Sequence, residues 1–230
     1  MIDNLDLDTS TTFTFLQGLI PLLLSGLKVT LAAAMLGYLI ALVLGLFLAI
    51  LRRLPYKIIA WPVACFVEFV RDTPLLIQLF FLYYVLPRYG IVFPAFLTGA
   101  IAIGIQYSTY TSEVYRAGID AVIRGQWEAA TALNLSMART YCVIVIPQAV
   151  PRVVPAMGNL LVGILKETPI LSTVSVLEML NVATIVGDRT YQYSLPLTLA
   201  GILMLITTSV FAFGVRRLEQ LMPKTGIPLR

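Results

Sequence analysis

The chain is 230 residues long, 59% hydrophobic and only 12% charged, about half the charged share of an average soluble domain. Too few Lys, Arg, Asp and Glu are present to cover a water-facing globule of this size, which excludes a soluble enzyme and points to an integral membrane protein. With a formal charge of +4, no histidine and two cysteines, zinc centres, histidine general bases and a disulfide framework are excluded too.

The chain opens with Asp3, Asp6 and Asp8, where a secretory signal would carry Lys or Arg ahead of its apolar core. Residues 1–25 read as an extracytoplasmic tail that ends in a short apolar interfacial segment, 13–24, lying before the first span. A bilayer core of about 30 Å takes about 20 residues of helix to cross. Residues 29–51 run uncharged to Arg52 and Arg53, 89–112 to Glu113, and 190–215 to Arg216 and Arg217. Two further apolar stretches are interrupted: 58–86 by Glu68, Arg71 and Asp72 with Pro74 behind them, and 153–177 by Lys166 and Glu167 with Pro169 behind them. The expectation is an all-α protein of five spans. Cys65 and Cys142 sit among apolar neighbours as small fillers.

Five spans put the two ends on opposite sides. Arg52, Arg53 and Lys57 follow the first span, Arg116, Arg124, Arg139 and Arg152 surround the loop after the third, and Arg216, Arg217, Lys224 and Arg230 follow the last. The remaining loops carry only Arg88 and Arg189. Basic loops stay in the cytoplasm, so the N-terminus is expected outside and the tail 220–230 inside. The basic balance is then topological, and nucleic acid is not a partner.

The two interruptions are alike. Val67-Glu68-Phe69-Val70-Arg71-Asp72-Thr73-Pro74-Leu75-Leu76 aligns with Val162-Gly163-Ile164-Leu165-Lys166-Glu167-Thr168-Pro169-Ile170-Leu171. Each Pro lacks an N–H and clashes with the preceding turn, so a break is predicted in both spans. Non-helical backbone at membrane depth survives only when buried in protein or lining a wet cavity. Each mid-membrane charge costs about 2.5 to 3.5 kcal/mol, so these residues either pair with one another or line a path.

One long polar stretch, 113–139, separates the third span from the fourth. Gly125 is expected to open a short helix there, with Glu128 in the first turn, Ala129, Ala130 and Leu133 within it, and Asn134 closing it in the left-handed conformation. The small residues suit docking onto another surface, and an interfacial helix on lipid headgroups fits them as well.

Gln126-Trp127-Glu128-Ala129-Ala130, with Leu133 and the later Ile146-Pro147-Gln148-Ala149, resembles the EAA loop of the permease subunits of bacterial ABC importers. Phe69-Val70-Arg71-Asp72-Thr73-Pro74-Leu75-Leu76 with Gln78, Ser112-Glu113-Val114-Tyr115-Arg116-Ala117-Gly118-Ile119, and Leu165-Lys166-Glu167-Thr168 resemble signatures of the polar amino acid uptake branch, the histidine/glutamine type. The resemblance runs from Gly26 to about Glu219.

It implies a type I importer permease in the bacterial inner membrane, with its transmembrane domain at 26–219. The implied partners are a second permease subunit, itself or a paralogue, two cytoplasmic ATPase subunits, an extracytoplasmic solute-binding protein and membrane lipid. No G-x-x-x-x-G-K-[ST] loop is present, so ATP and Mg belong to the ATPase partner; no cofactor, metal or catalytic residue is expected on this chain. Gly125, Glu128, Ala129, Ala130, Leu133 and Asn134 would couple to that ATPase, and Glu167, Thr168, Lys166, Arg71, Thr73 and Gln78 would line the substrate path. The family usually has Gly where Asn134 stands, and Lys-Asp-Thr-Ser where this chain has Lys166-Glu167-Thr168-Pro169. The longer acid and the Pro make an amino-acid-like zwitterion such as ectoine a reasonable cargo. The rival reading is an ion-coupled carrier or channel using Arg71, Asp72, Lys166 and Glu167 as its relay.

Overall fold

The computed structural model describes residues 12–222, and these form a helical bundle with no strand among them. Helix α1 is Thr12–Arg52, α2 is Lys57–Asp72 and α3 is Leu75–Phe80, continued by a π turn at Phe81–Val85 and a 3-10 turn at Leu86–Tyr89. Then come α4 (Ala95–Asp120), α5 (Arg124–Ala132), and α6 (Met137–Thr140), which passes through a second π turn, Tyr141–Val145, into α7 (Ile146–Glu167). A 3-10 segment, Thr168–Val174, leads to α8 (Met179–Thr190) and α9 (Ser194–Leu221). The acidic residues Asp3, Asp6 and Asp8 and the basic residues Lys224 and Arg230 lie outside the described residues.

The five expected spans correspond to α1, the broken α2–α3, α4, α7 with its 3-10 extension, and α9. Two boundaries move. Segment 13–24 is continuous with the first span in the single 41-residue helix α1, so a division at residue 25 falls inside a helix. Phe15, Leu19 and Leu23, spaced by four, bury against Met179, Val182, Ala183 and Val186 of α8 and Ala200 of α9. That stripe gives the segment protein to pack on, where an interfacial helix would have met lipid. The second change is α8, a separate 12-residue helix that occupies most of the loop expected between the fourth and fifth spans, a stretch bounded by Glu178 at one end and Asp188 and Arg189 at the other.

Glu178 starts α8. Its carboxylate is fully buried and accepts from the backbone N–H of Leu180 (2.9 Å) and Asn181 (2.7 Å) and from the Thr30 hydroxyl of α1 (3.4 Å). The Thr30 oxygen in turn accepts from the N–H of Met179 at 3.2 Å. An acid meeting free N–H groups at a helix start is satisfied without a counter-ion, and here the cap also fastens α8 to α1.

The longest seam joins α1 to α4. Gly37, Ala41 and Gly45 recur at four-residue intervals on α1, as do Ala100, Gly104 and Ser108 on α4. A Cβ on Gly45 would stand 2.8 Å from the Ser108 carbonyl oxygen, and one on Gly104 would stand 3.2 Å from that of Gly37. The backbones are therefore in direct contact. Thr111 donates across the seam to the Ala41 carbonyl at 2.7 Å. With lipid on one side and protein on the other equally apolar, such close backbone approach and interhelical hydrogen bonding are what hold membrane helices together.

Ion pairs close the Arg52 end of the bundle. Arg52 of α1 and Arg116 of α4 share Glu113, Arg53 pairs with Asp120 at 2.5 Å, and Arg152 of α7 donates to the Ala121 carbonyl at the end of α4 at 2.5 Å.

Candidate functional site

Both predicted breaks are present, and they are resolved differently. At the first, α2 ends at Asp72, Thr73 is extended, and α3 starts after Pro74. The Gln78 amide repairs the gap: its Nε2 donates to the carbonyls of Val70 (2.8 Å) and Thr73 (3.0 Å) and to Oε1 of Gln106 on α4 (2.5 Å). Thr73 donates back to the Phe69 carbonyl at 2.6 Å. Buried carbonyls need such partners where no water reaches them. A cavity of about 290 Å³ lined by Val70, Thr73, Gln78 and Ile105 opens beside this repair.

At the second break the chain tightens. α7 stops at Glu167 and continues as the 3-10 segment, with Pro169 near its start. Thr168 is fully buried and its hydroxyl donates to the Leu165 carbonyl at 2.8 Å. It serves the helix end, and within this chain no surface of it faces a path, contrary to expectation. Glu167 is exposed on the isolated subunit, its carboxylate within hydrogen-bonding reach of the Tyr107 hydroxyl. That hydroxyl also lies 3.0 Å from where a Cβ on Gly163 would stand, so the small residue on α7 makes room for it.

The charges at the two breaks do not pair as neighbours. Arg71 bonds Glu68, one turn back, at 2.6 Å. Lys166 and Asp72 are exposed and enter no ion pair among the described residues.

What joins the two breaks is α4. Gln106 meets Gln78 on one flank, Tyr107 meets Glu167 on the other, and Tyr110 lies 3.5 Å from the Gln106 amide and 5.7 Å, ring to ring, from Tyr107. These three residues were missed in the sequence because 89–112 carries no charge. Polar uncharged side chains at positions i, i+1 and i+4 of an otherwise clean span are the signal that was available.

The second functional element is α5. It starts at Arg124, one residue before Gly125, with Ile123 as an N-cap that offers no side-chain bond. Glu128 therefore falls in the second turn, where it pairs with Arg124 at 2.9 Å. Asn134 has φ 50°, the left-handed stop its side chain tolerates. Trp127 packs edge-to-face on Tyr141, seating α5 on the π turn that leads into α7. Ala130, expected on an outward docking face, is 2% exposed and belongs to the inner face of α5. Gly125, Glu128, Ala129, Leu133 and Asn134 face outward.

With two broken spans, a polar bridge between them and a short helix at the root of α7 in place, sequence comparison supplies the family. The profile of the family "binding-protein-dependent transport system inner membrane component" matches residues 41–222. The chain belongs to this family. The permease is 56% identical over 216 residues to the probable amino-acid ABC transporter permease protein y4tG of Sinorhizobium fredii, covering 94% of each chain. It is 35% identical to a putative glutamine transport system permease protein, GlnP, of Rickettsia conorii, over 87% of this chain and 92% of that one. Among solved structures it superposes on a chain of an amino acid ABC transporter crystallised with histidines, with a TM-score of 0.84 and 33% identity over 94% of this chain and 98% of the other. A chain of the MetNI methionine ABC transporter shares the fold with a TM-score of 0.77 over 89% of this chain and 98% of that one, at 16% identity. The permease is an all-α inner-membrane protein of the ABC importer type.

Proposed function

We propose that this permease carries a polar amino acid or a similar zwitterion inward, in a complex with a second permease subunit, two ATPases and an extracytoplasmic binding protein. The observation that carries the reading is the polar bridge across α4. A zwitterion needs an acceptor for its ammonium and donors for its carboxylate, in a place free of lipid. Glu167 with Tyr107 supplies the first, and the Gln106 amide, with Arg71 and Lys166 nearer the edge, supplies the second; the Gln78 amide, taken up by Val70, Thr73 and Gln106, shapes the path beside them. Thr73 and Thr168 act on this path through the backbone they hold. The cluster of Arg52, Arg53, Arg116, Arg124, Arg139 and Arg152 at the α5 end supports a cytoplasmic placement of α5 and an outward N-terminus.

The test is ATPase activity of the reconstituted complex, screened over single amino acids and ectoine with the cognate binding protein. Stimulation by one class of zwitterion is the expected outcome; stimulation by none, with uptake driven by an ion gradient alone, returns the carrier reading.

On this reading the outward face of α5 receives the ATPase, and ATP-driven closure moves α5 and, through Trp127 and Tyr141, the root of α7. Overfilling a packed contact costs about 1 to 3 kcal/mol, and the two alanines should report on different contacts. Ala129→Leu is expected to leave the permease as thermostable as the parent while cutting co-purification of the ATPase and uptake. Ala130→Leu is expected to lower the melting temperature of the permease itself, because its methyl already fills the space beneath α5. Equal ATPase recovery with Ala129→Leu and the parent would move the docking face elsewhere.

A further inference from the structure

We propose that the Arg52 end of the bundle, where α1, α2 and α4 meet, binds the phosphate of an anionic phospholipid. The inference requires only that the chain spans a bilayer; it does not depend on the cargo or on which side α5 faces. A cavity of about 670 Å³ opens here, lined by Arg52, Lys57, Arg116, Trp61 and Ile58 among others. Three cations face it. The acid that bonds them is Glu113, which Arg52 and Arg116 share, so positive charge is left over. Lys57, the first residue of α2, has no ion-pair partner among the described residues. The Arg116 Nε–H is shielded from solvent and has no hydrogen-bond acceptor among the described residues, so the outward N–H groups of this guanidinium are the ones that face the cavity.

The surroundings of the cavity distinguish a lipid from a free anion. Trp61 is 71% exposed and Ile58 85% exposed on its rim, and Arg52 is the last residue of the apolar helix α1. The cations therefore stand at the depth where the hydrocarbon ends, beside a ring and an aliphatic chain that water would not favour. Tryptophan at the bilayer interface and a basic pocket between helix ends are the combination that phospholipid phosphates take. A soluble phosphate would have no use for the apolar rim.

Trp61 is one of two tryptophans, so the Trp127→Phe chain, full length, leaves it as the sole indole reporter. This chain is reconstituted into phosphatidylcholine vesicles titrated with acyl-brominated phosphatidylglycerol or, separately, acyl-brominated phosphatidylcholine. Half-quenching of Trp61 is expected at a mole fraction of phosphatidylglycerol about fivefold below that of phosphatidylcholine, since one basic residue near the surface is worth about that factor. Lys57→Gln should remove most of the difference and Lys57→Arg should keep it; both changes are at an exposed helix start and leave folding alone. Excess inorganic phosphate should not relieve the quenching. Equal quenching by the two lipids, as an acidic protein segment covering the cavity would produce, overturns the proposal. So does a Lys57→Gln chain that behaves as its parent, or displacement of the lipid by inorganic phosphate.

Discussion

A permease carrying Gly45→Val is expected to fall to about a tenth of the parental level in membranes. Any Cβ at this position would lie 2.8 Å from the Ser108 carbonyl oxygen, with the Thr111 side chain closer still. Neither obstacle is the loose end of a flexible side chain: Ser108 is backbone of a packed helix, and Thr111 is held by its bond to the Ala41 carbonyl. The valine can be accommodated only by prising α1 from α4, which loses that bond along with the close contact of Gly37 and Gly104. Overpacking alone costs about 1 to 3 kcal/mol, a large part of a marginal stability. Gly201→Val and Gly214→Val on α9 are the matched controls, because nothing stands within 4 Å of a Cβ at either position. Quantitative immunoblotting of the three variants in membranes decides the matter. Parental levels of Gly45→Val would mean that the α1–α4 seam yields to a side chain.

Replacing Gln78 by Leu should abolish transport while the subunit still inserts. The side chain keeps its approximate volume and loses every bond that repairs the first break, leaving the carbonyls of Val70 and Thr73 and the Gln106 amide without their partner. Each buried polar group left unpaired costs about 1 to 3 kcal/mol, enough to reshape the break and close the cavity beside it. Glu167→Gln makes the complementary change. Volume and the bond to Tyr107 can persist, and only the negative charge goes. That variant is expected to assemble normally and to lose uptake of zwitterions carrying an ammonium, with uncharged analogues affected least. Uptake assays on proteoliposomes of matched protein content check both. Unchanged uptake and selectivity in Glu167→Gln would remove this carboxylate from the path.

The breaks and the α5 stop were legible in the sequence because each depends on a residue with a local backbone consequence. Pro74 and Pro169 cannot continue a helix whatever surrounds them, and Asn134 accepts a positive φ on its own account. Features set by tertiary packing were not legible. Residues 13–24 have the length and hydropathy of an interfacial segment, and only the surface offered by α8 and α9 makes them the start of α1. Ala129 and Ala130 are chemically identical, so which of them turns inward depends on Trp127 finding Tyr141. Thr168 has the chemistry of a path residue until its hydroxyl is seen to be spent on the Leu165 carbonyl. The bridge through Gln106, Tyr107 and Tyr110 was missed for a related reason: charge marks membrane function clearly, whereas a neutral polar residue is read as filler until its partners on other helices are known.

The buried cap at Glu178 bears on which parts of the permease can move. Glu178 and the N–H groups it caps belong to one helix end, and separating α8 from α1 would cost the two bonds made through Thr30 there, to the Glu178 carboxylate and from the Met179 N–H. The continuous seam holds α4 to α1 in the same way. On the proposed function, these three helices would stay together through the cycle. On the proposed function, the broken segments around Pro74 and Pro169, with the π turn beneath α7, would be the parts that a stroke delivered at α5 displaces. A disulfide engineered between α1 and α8 should therefore be silent in transport, and one engineered between α4 and the 3-10 segment should stall the cycle.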